Sequence, residues 1–282
     1  MRVIINGDDF GLTRGVNEGI ARAHAEGVLT SASLMAVGRA FDHAVQTAAG
    51  LPDLDVGVHL VLTDEAPLTD AAFAVGWPRG VFKDKGKLFG ALMDQRGDLG
   101  VIADEWRAQI RRVVEAGISP SHLDSHQFVH LFPGMFSICQ DLAAEFSIPH
   151  VRRRVMDPLS PAAGPRRLLQ YAALKTCTCV MARAKRVAAE QEIPCVGFLR
   201  AGGKMTVHDL AEALEKHKEC RAVEVMIHPG LADEETRALY GEWDYAWEND
   251  LSLATDPATR RALADAGAQL CRFSDVQGAF GY

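Results

Sequence analysis

The sequence predicts an α/β protein whose seven or eight parallel strands form a closed or distorted (β/α) barrel. Two observations lead there. Short apolar runs of strand length alternate with helix-length segments along all 282 residues. No internal repeat and no linker interrupts that alternation, so one domain over 1–282 is expected. An open doubly wound sheet is the alternative fold.

The first strand is Val3-Ile4-Ile5, closed by Asn6-Gly7-Asp8-Asp9-Phe10-Gly11. Gly15 to Glu26 reads as a helix ended by Gly27. Thr30 to Val37 reads as the second strand and Ala40 to Ala49 as a short helix. Asp55 to Val61 is the third strand, with His59 near its carboxyl end. Residues 62–97 are rich in Gly and Pro and read as a loop covering a site. Leu99 to Ala116 is an amphipathic helix, with Ile102, Trp106, Ile110 and Val113 at helical spacing. A polar stretch follows, from Ser121 to His130, around the fourth strand. Met135 to Phe146 is the next helix, and His150 to Val155 the fifth strand. Pro165 to Glu190 reads as a long basic helical insertion. Cys195 to Leu199 is the sixth strand, Val207 to Lys216 a helix, and Ala222 to His228 the seventh strand. Asp256 caps a last helix with Pro257 at its first position, and Ala268 to Phe273 is a candidate final strand.

Composition narrows the function classes. The chain is 48% hydrophobic and 24% charged, an ordinary globular balance. A net charge of −7 argues against broad nucleic-acid binding. The first strand begins at once, which reads as no signal peptide, and no long uncharged apolar run marks a membrane span. Six scattered cysteines without a CxxC pair suit a reducing cytosol, so a cytoplasmic protein is expected. No GxGxxG or P-loop opens a helix.

Chemistry-bearing residues gather where strands hand over to loops. Asp8 and Asp9 end the first strand, and His59 the third. His122, Asp124, His126 and His130 surround the fourth, and His228 ends the seventh. In a parallel barrel those ends converge on one face. Two adjacent acids after a buried strand are unfavourable unless a cation meets them; a capping role for the following helix is the plainer alternative. A carboxylate with two imidazoles suits Zn²⁺ foremost, or another single divalent ion such as Mg²⁺, Mn²⁺, Co²⁺, Fe²⁺ or Ni²⁺. The remaining carboxylate is then placed to take a water proton and a histidine to protonate a leaving amine, which reads as metal-assisted hydrolysis of an amide.

Four stretches carry a resemblance. Asn6 to Leu12, Val58-His59-Leu60, His122 to His130 and Met226-Ile227-His228-Pro229 are similar to the motifs of the YdjC-like carbohydrate deacetylases, a family that includes chitooligosaccharide deacetylase and hopanoid-biosynthesis-associated deacetylases. The resemblance covers nearly the whole chain in order. It implies a distorted TIM-like barrel and metal-dependent removal of acetyl from an N-acetylated amino sugar, on an oligosaccharide or a glycolipid. It also implies Asp9, His59 and His126 as metal ligands, Asp8 as general base and His228 as general acid or oxyanion partner. Arg152 or Arg153 would steady Asp8, and the run of three arginines leaves the choice open. His122, Asp124 and His130 would orient the ligating imidazoles by hydrogen bonding. Phe128 stands where many relatives carry another histidine, so that position is not expected to ligate.

Residues 165–190 hold Arg166, Arg167, Lys175, Arg183, Lys185 and Arg186 against Glu190 alone, a local charge of +5. They read either as a surface for anionic lipid or a lipid-linked sugar, or as the solvated face of a helix packed on the barrel. Partners expected on these grounds are an N-acetylated sugar or glycolipid, peripheral contact with a membrane surface and a homodimer, with no nucleic acid. Trp77, Phe82, Phe89, Trp243, Tyr245 and Trp247 are loop aromatics that could stack on sugar rings or serve as lids. The contrasting functions are a non-catalytic carbohydrate-binding or regulatory protein on the same fold, and a metal-dependent hydrolase of phosphoesters.

Overall fold

Strand β1 (Arg2–Phe10) is the axis around which the other strands are laid. A computed structural model describes residues 1–71, 98–132, 134–159, 163–184 and 193–276, with backbone only at 179–184. Beside β1 come β2 (Ser31–Leu34), β3 (Asp55–Leu60), β4 (His122–Ser125) and β5 (His150–Val151). On its other side lie β8 (Ala222–Ile227), β7 (Pro194–Val196) and β6 (Arg154–Val155). The hydrogen-bonded order is β5-β4-β3-β2-β1-β8-β7-β6, and every pairing is parallel. A short β9 (Gln269–Leu270) pairs with the start of β1.

The two ends of that path are consecutive in the chain. Among the described residues β5 bonds only to β4 and β6 only to β7, yet Arg152 and Arg153 alone separate them. The expected fifth strand is therefore split: its first half closes one edge of the sheet and its second half the other. The ring is joined through the backbone rather than by a ladder, which makes it a distorted TIM-like barrel and not an open sheet.

Helices cover the outside: α1 (Arg14–Ala25), α2 (Phe41–Ala49), α3 (Leu99–Glu115), α4 (Met135–Glu145), α5 (Pro165–Ala184), α6 (Val207–Lys216), α7 (Glu234–Tyr240), α8 (Trp247–Thr255) and α9 (Pro257–Asp265). Outward residues of the strands, such as Val3, Ile5, Ala32, Leu34, Val56, Val58, Val223 and Val225, join the helices' apolar faces in the main core. Side chains alternate across a strand, so the residues between them face inward, and many of these are polar: Asn6, Asp8, Ser31, Ser33, His59, His122, Asp124 and Glu224, all buried. Gly57 leaves room among them, since a Cβ there would lie 2.4 Å from the His122 ring.

Several elements differ from expectation. The second strand ends at Leu34, because the chain turns at Met35 toward α2. The seventh-built strand, β7, is three residues long and passes into a 3₁₀ turn at Phe198–Arg200. Two helices, α7 and α8, occupy what reads in sequence as a late loop; Asp233 caps the first through Thr236 N–H. Trp247 lies on α8 and is buried, so it is a core residue rather than a loop aromatic. α5 reaches Ala184, and Tyr171 and Leu174 bury its inner face in a cluster with Phe198. Arg167 lies over the Phe198 ring and Lys175 over the Tyr171 ring. The Arg183 side chain, Lys185, Arg186 and Glu190 lie outside the described residues, as do Trp77, Phe82 and Phe89. Among the described residues, no helix is long and apolar enough to cross a membrane.

Candidate functional site

The site begins with a local distortion of β1. In a regular strand Asp8 and Asp9 would point to opposite faces. Here the pairing with β2 slips between Gly7 and Phe10, and Asp9 adopts a left-handed backbone at φ 66°. Asp is one of the few residues that tolerates this conformation. The bulge turns both carboxylates into the barrel mouth. Thr13, not either aspartate, caps α1 by accepting the Val16 N–H, which removes the capping alternative.

Asp9 meets two imidazoles. Its Oδ1 lies 3.2 Å from His59 Nε2 and 2.9 Å from His126 Nδ1, and all three side chains are buried. One ligand atom from each lies within 4.8 Å of the others. The second oxygen, Oδ2, is buried, has no hydrogen-bond partner among the described residues, and faces His228 Nε2 at 4.0 Å. An orphaned carboxylate oxygen between imidazole nitrogens is a donor set that fits a divalent cation. Burial opposes the charge on Asp9, but the surrounding His126, His59 and His228 hold its pKa well below the ordinary carboxylate range.

His59 is oriented from behind. Its Nδ1 lies 2.7 Å from Asp124 Oδ1. Burial disfavours the imidazolium, yet Asp124, Asp8 and Asp9 outweigh that and raise its pKa to about 10. His126 is raised as well, by Asp9 and Asp64 against burial. Gln127 and Phe128 follow it with left-handed backbones, which reverses the chain immediately after His126. Gln127 Nε2 donates to Asp64 Oδ2 at 2.5 Å, and that same oxygen lies 3.3 Å from His126 Nε2.

Asp8 is held by a fork. Arg152 NH1 donates to its Oδ2 at 2.8 Å and NH2 to its Oδ1 at 2.7 Å, while Asn6 Nδ2 also donates to Oδ1. Arg152 further meets Asp124 at 2.7 Å and Glu224 at 2.5 Å. Burial works against its charge, and these three carboxylates keep it firmly ionised. Arg153 instead lays its guanidinium over the Phe136 ring. A second acidic group, Asp8, His59 and Asp124, also has metal-like spacing. The Arg152 guanidinium already bonds to both of its carboxylates.

The three residues expected to orient imidazoles behave differently from one another. Asp124 does so directly. His122 instead pairs with Ser33 Oγ (3.0 Å) and Ser121 Oγ (2.9 Å), and its ring stacks on Phe273. His130 lies 2.5 Å from Ser125 Oγ and 2.8 Å from the Arg152 carbonyl, so it braces the arginine's backbone rather than a ligand. Burial pushes both His122 and His130 down to about 4. Ser33 is a node that sequence reading misses. It donates to Asp124 Oδ2 at 2.7 Å and accepts from Asn6 Nδ2 at 2.8 Å. With its only proton given to Asp124, its second lone pair takes the His122 Nε2–H, which assigns the tautomer of that histidine.

His228 stands across the site. Asp250 of α8 accepts its backbone N–H at 2.9 Å and places Oδ2 4.0 Å from its Nδ1. Tyr245 contacts the imidazole edge-on at 5.0 Å, and Trp243 lies 5.1 Å from the His126 ring. Of the late aromatics, then, Trp243 and Tyr245 border the site. Neither Asp250 nor Glu224 carries a motif signal; the only hint is a charged residue at an inward or helix-buried position.

A model of the family described as YdjC-like protein matches residues 2–265. The chain belongs to the YdjC-like family. Among curated proteins, a carbohydrate deacetylase of Brevibacillus brevis is 32% identical over 98% of this chain and 100% of its own length. One of Vibrio vulnificus strain YJ016 is 32% identical, covering 90% of this chain and 87% of its own. Among solved structures, a protein of Enterococcus faecalis V583, described as a candidate cellobiose-phosphate cleavage protein, superposes with a TM-score of 0.74 over 98% of both chains at 22% identity, which supports the fold. In this YdjC-like chain Phe128 is buried, with its ring 5.3 Å from Arg152 Cζ and edge-on to Phe198, as a packing residue would be.

Proposed function

We propose that this YdjC-like protein is a metal-dependent carbohydrate N-deacetylase that hydrolyses the acetamide of an N-acetylated amino sugar. The observation that carries the reading is the side-by-side placement of two differently held aspartates. Asp9 faces His59, His126 and His228, whereas Asp8 faces the Arg152 fork. The names of the Brevibacillus and Vibrio relatives support the substrate class.

Asp9, His59 and His126 would hold the divalent ion, which when bound supplies a Lewis acid and makes a water more acidic. Asp8 is the acceptor for the water proton. Its bidentate arginine and the Asn6 amide aim its oxygens. The water oxygen adds to the acetamide carbon, the C–N bond breaks, and the nitrogen must gain a proton. His228, 4.0 Å from Asp9 on the opposite side, is the donor to that nitrogen, with Asp250 behind it. Acetate and a free amine result. Arg152 between Asp8 and Asp124 places a fixed cation where a two-metal phosphoesterase would need a second ion.

The test is acetate release from N-acetylglucosamine oligomers and from an N-acetylglucosaminyl glycolipid, with and without chelator. Release that stops on chelation and returns with Zn²⁺, Mn²⁺ or Co²⁺ is expected, and the more rapid probe names the branch of substrate. No release from either probe by protein carrying one equivalent of metal would move the non-catalytic carbohydrate-binding reading to the front.

A further inference from the structure

We propose that Glu224 is a positioning residue, one that sets the angle at which the Arg152 guanidinium meets Asp8, a role that rests on the deacetylase reading of the site. Glu224 sits on β8, beside β1, in register with Ile4 and wholly buried. Its Oε1 accepts from Arg152 Nε at 2.8 Å and from NH2 at 2.5 Å.

An arginine offers five N–H donors, of which the Nε–H points sideways from the terminal fork. The fork engages Asp8, so the sideways donor needs an acceptor of its own in a buried site. Glu224 provides it. Of the arginine's other restraints, Asp124 meets NH2 at 2.7 Å and the rest act elsewhere. Its backbone is tied by N–H to the Leu123 carbonyl at 2.9 Å and by its carbonyl to His130. One face of the guanidinium is covered by Phe128. Rotation within the guanidinium plane is opposed at the fork by Asp8 and Asp124, and the contact to Glu224 opposes it at the Nε edge.

Charge balance is a poor explanation for Glu224. Asp8 and Asp124, each 2.7 Å from NH2, already more than neutralise one guanidinium. Burial moreover pushes the Glu224 carboxyl up to about 7 against the pull of Arg152, with Asp8 and Asp124 adding to the rise. Cys195, opposite it on β7, is held as a neutral thiol by burial and by Glu224 itself. A third acid here is unfavourable as a charge and useful as an acceptor at a defined place.

Two variants separate position from charge. E224Q keeps the reach and the acceptor oxygen without the charge; E224D keeps the charge but withdraws the acceptor by about 1.5 Å, one methylene. With an N-acetylglucosamine dimer as probe, E224Q is expected to keep kcat within about threefold of wild type, whereas E224D loses about 30-fold in kcat with KM changed less than about twofold. Metal content should be unchanged in both. Crystal structures should retain the two Asp8–Arg152 bonds in E224Q and lengthen at least one beyond about 3.5 Å in E224D. E224D matching wild type, or E224Q the more impaired of the two, would overturn the proposal. If wild type releases no acetate from any probe, the deacetylase reading fails, while the Asp8–Arg152 separations still decide whether Glu224 positions the arginine.

Discussion

Asp124 grips His59 from behind, with Oδ1 2.7 Å from Nδ1, and so leaves Nε2 to face Asp9 at 3.2 Å. The carboxylate fixes both the tautomer and the ring angle of that imidazole. We predict that Asp124→Asn weakens metal affinity about 10–100-fold without unfolding the protein. Competition titration with a chromophoric chelator measures it; unchanged affinity would mean that ring packing alone orients His59.

The roles of the paired aspartates separate in a metal assay. Asp8→Asn is expected to retain one equivalent of ion and lose turnover, because its contacts run to Arg152 and Asn6. His126→Ala is expected to lose the ion, because His126 meets Asp9 directly. Elemental analysis of the purified variants, alongside acetate release, checks both. Metal-free Asp8→Asn, or metal-replete His126→Ala, would reverse the assignment.

Arg152 and Arg153 are neighbours with different work. Lysine at 152 cannot reproduce a bidentate fork, so Arg152→Lys should lower kcat by about 10²-fold or more. Arg153 packs over Phe136, and Arg153→Lys should stay within about threefold of wild type. Equal losses in both would argue that the run of arginines acts through bulk charge.

Ser33 ties Asp124, Asn6 and His122 together through one hydroxyl. Ser33→Ala leaves three buried polar groups each short of a partner, and we expect a loss of about 1–3 kcal/mol in unfolding free energy. Urea denaturation at neutral pH tests this; a variant as stable as wild type would mean that water replaces the hydroxyl.

His130 makes stability depend on acid. Its folded pKa, about 4, lies below the unfolded value near 6.5, so the unfolded chain takes up the proton first as pH falls. The stabilisation is complete above about pH 6.5 and is lost as pH drops through 4, amounting to about 3 kcal/mol at 1.36 kcal/mol per pKa unit. Urea midpoints for wild type and His130→Gln at pH 7 and pH 5 isolate the effect. The difference between the two proteins should shrink toward pH 5; a constant difference would remove His130 from the account.

Much of the site is legible in the sequence because its chemistry sits at strand ends, and strand ends are marked locally. Val3 to Phe10, Val56 to Leu60 and Val223 to His228 each announce a strand and the polar residue that closes it. The parallel order and the convergence of Asp8, Asp9, His59, His126 and His228 then follow from the alternation of strands and helices. Polar residues at every second position, Asn6 and Asp8, Ser31 and Ser33, also signal a polar barrel interior, a pattern easily read as uninterrupted apolar strands.

Other features depend on contacts that no local pattern contains. Arg152 and Asp8 are 144 positions apart, and the choice of Arg152 over Arg153 is made where one strand splits between two sheet edges. Asp250 behind His228 and Glu224 beside Arg152 are ordinary acids until α8 and β8 are packed against the site. The bulge that swings Asp9 inward is a left-handed residue inside a strand, held there by pairing with β2. By itself the sequence determined which side chains end the strands, since periodicity and residue type are local properties. Only the tertiary structure decided which carboxylate faces the imidazoles and which faces the arginine, because those orientations come from ring closure, register and burial, which the chain acquires by folding.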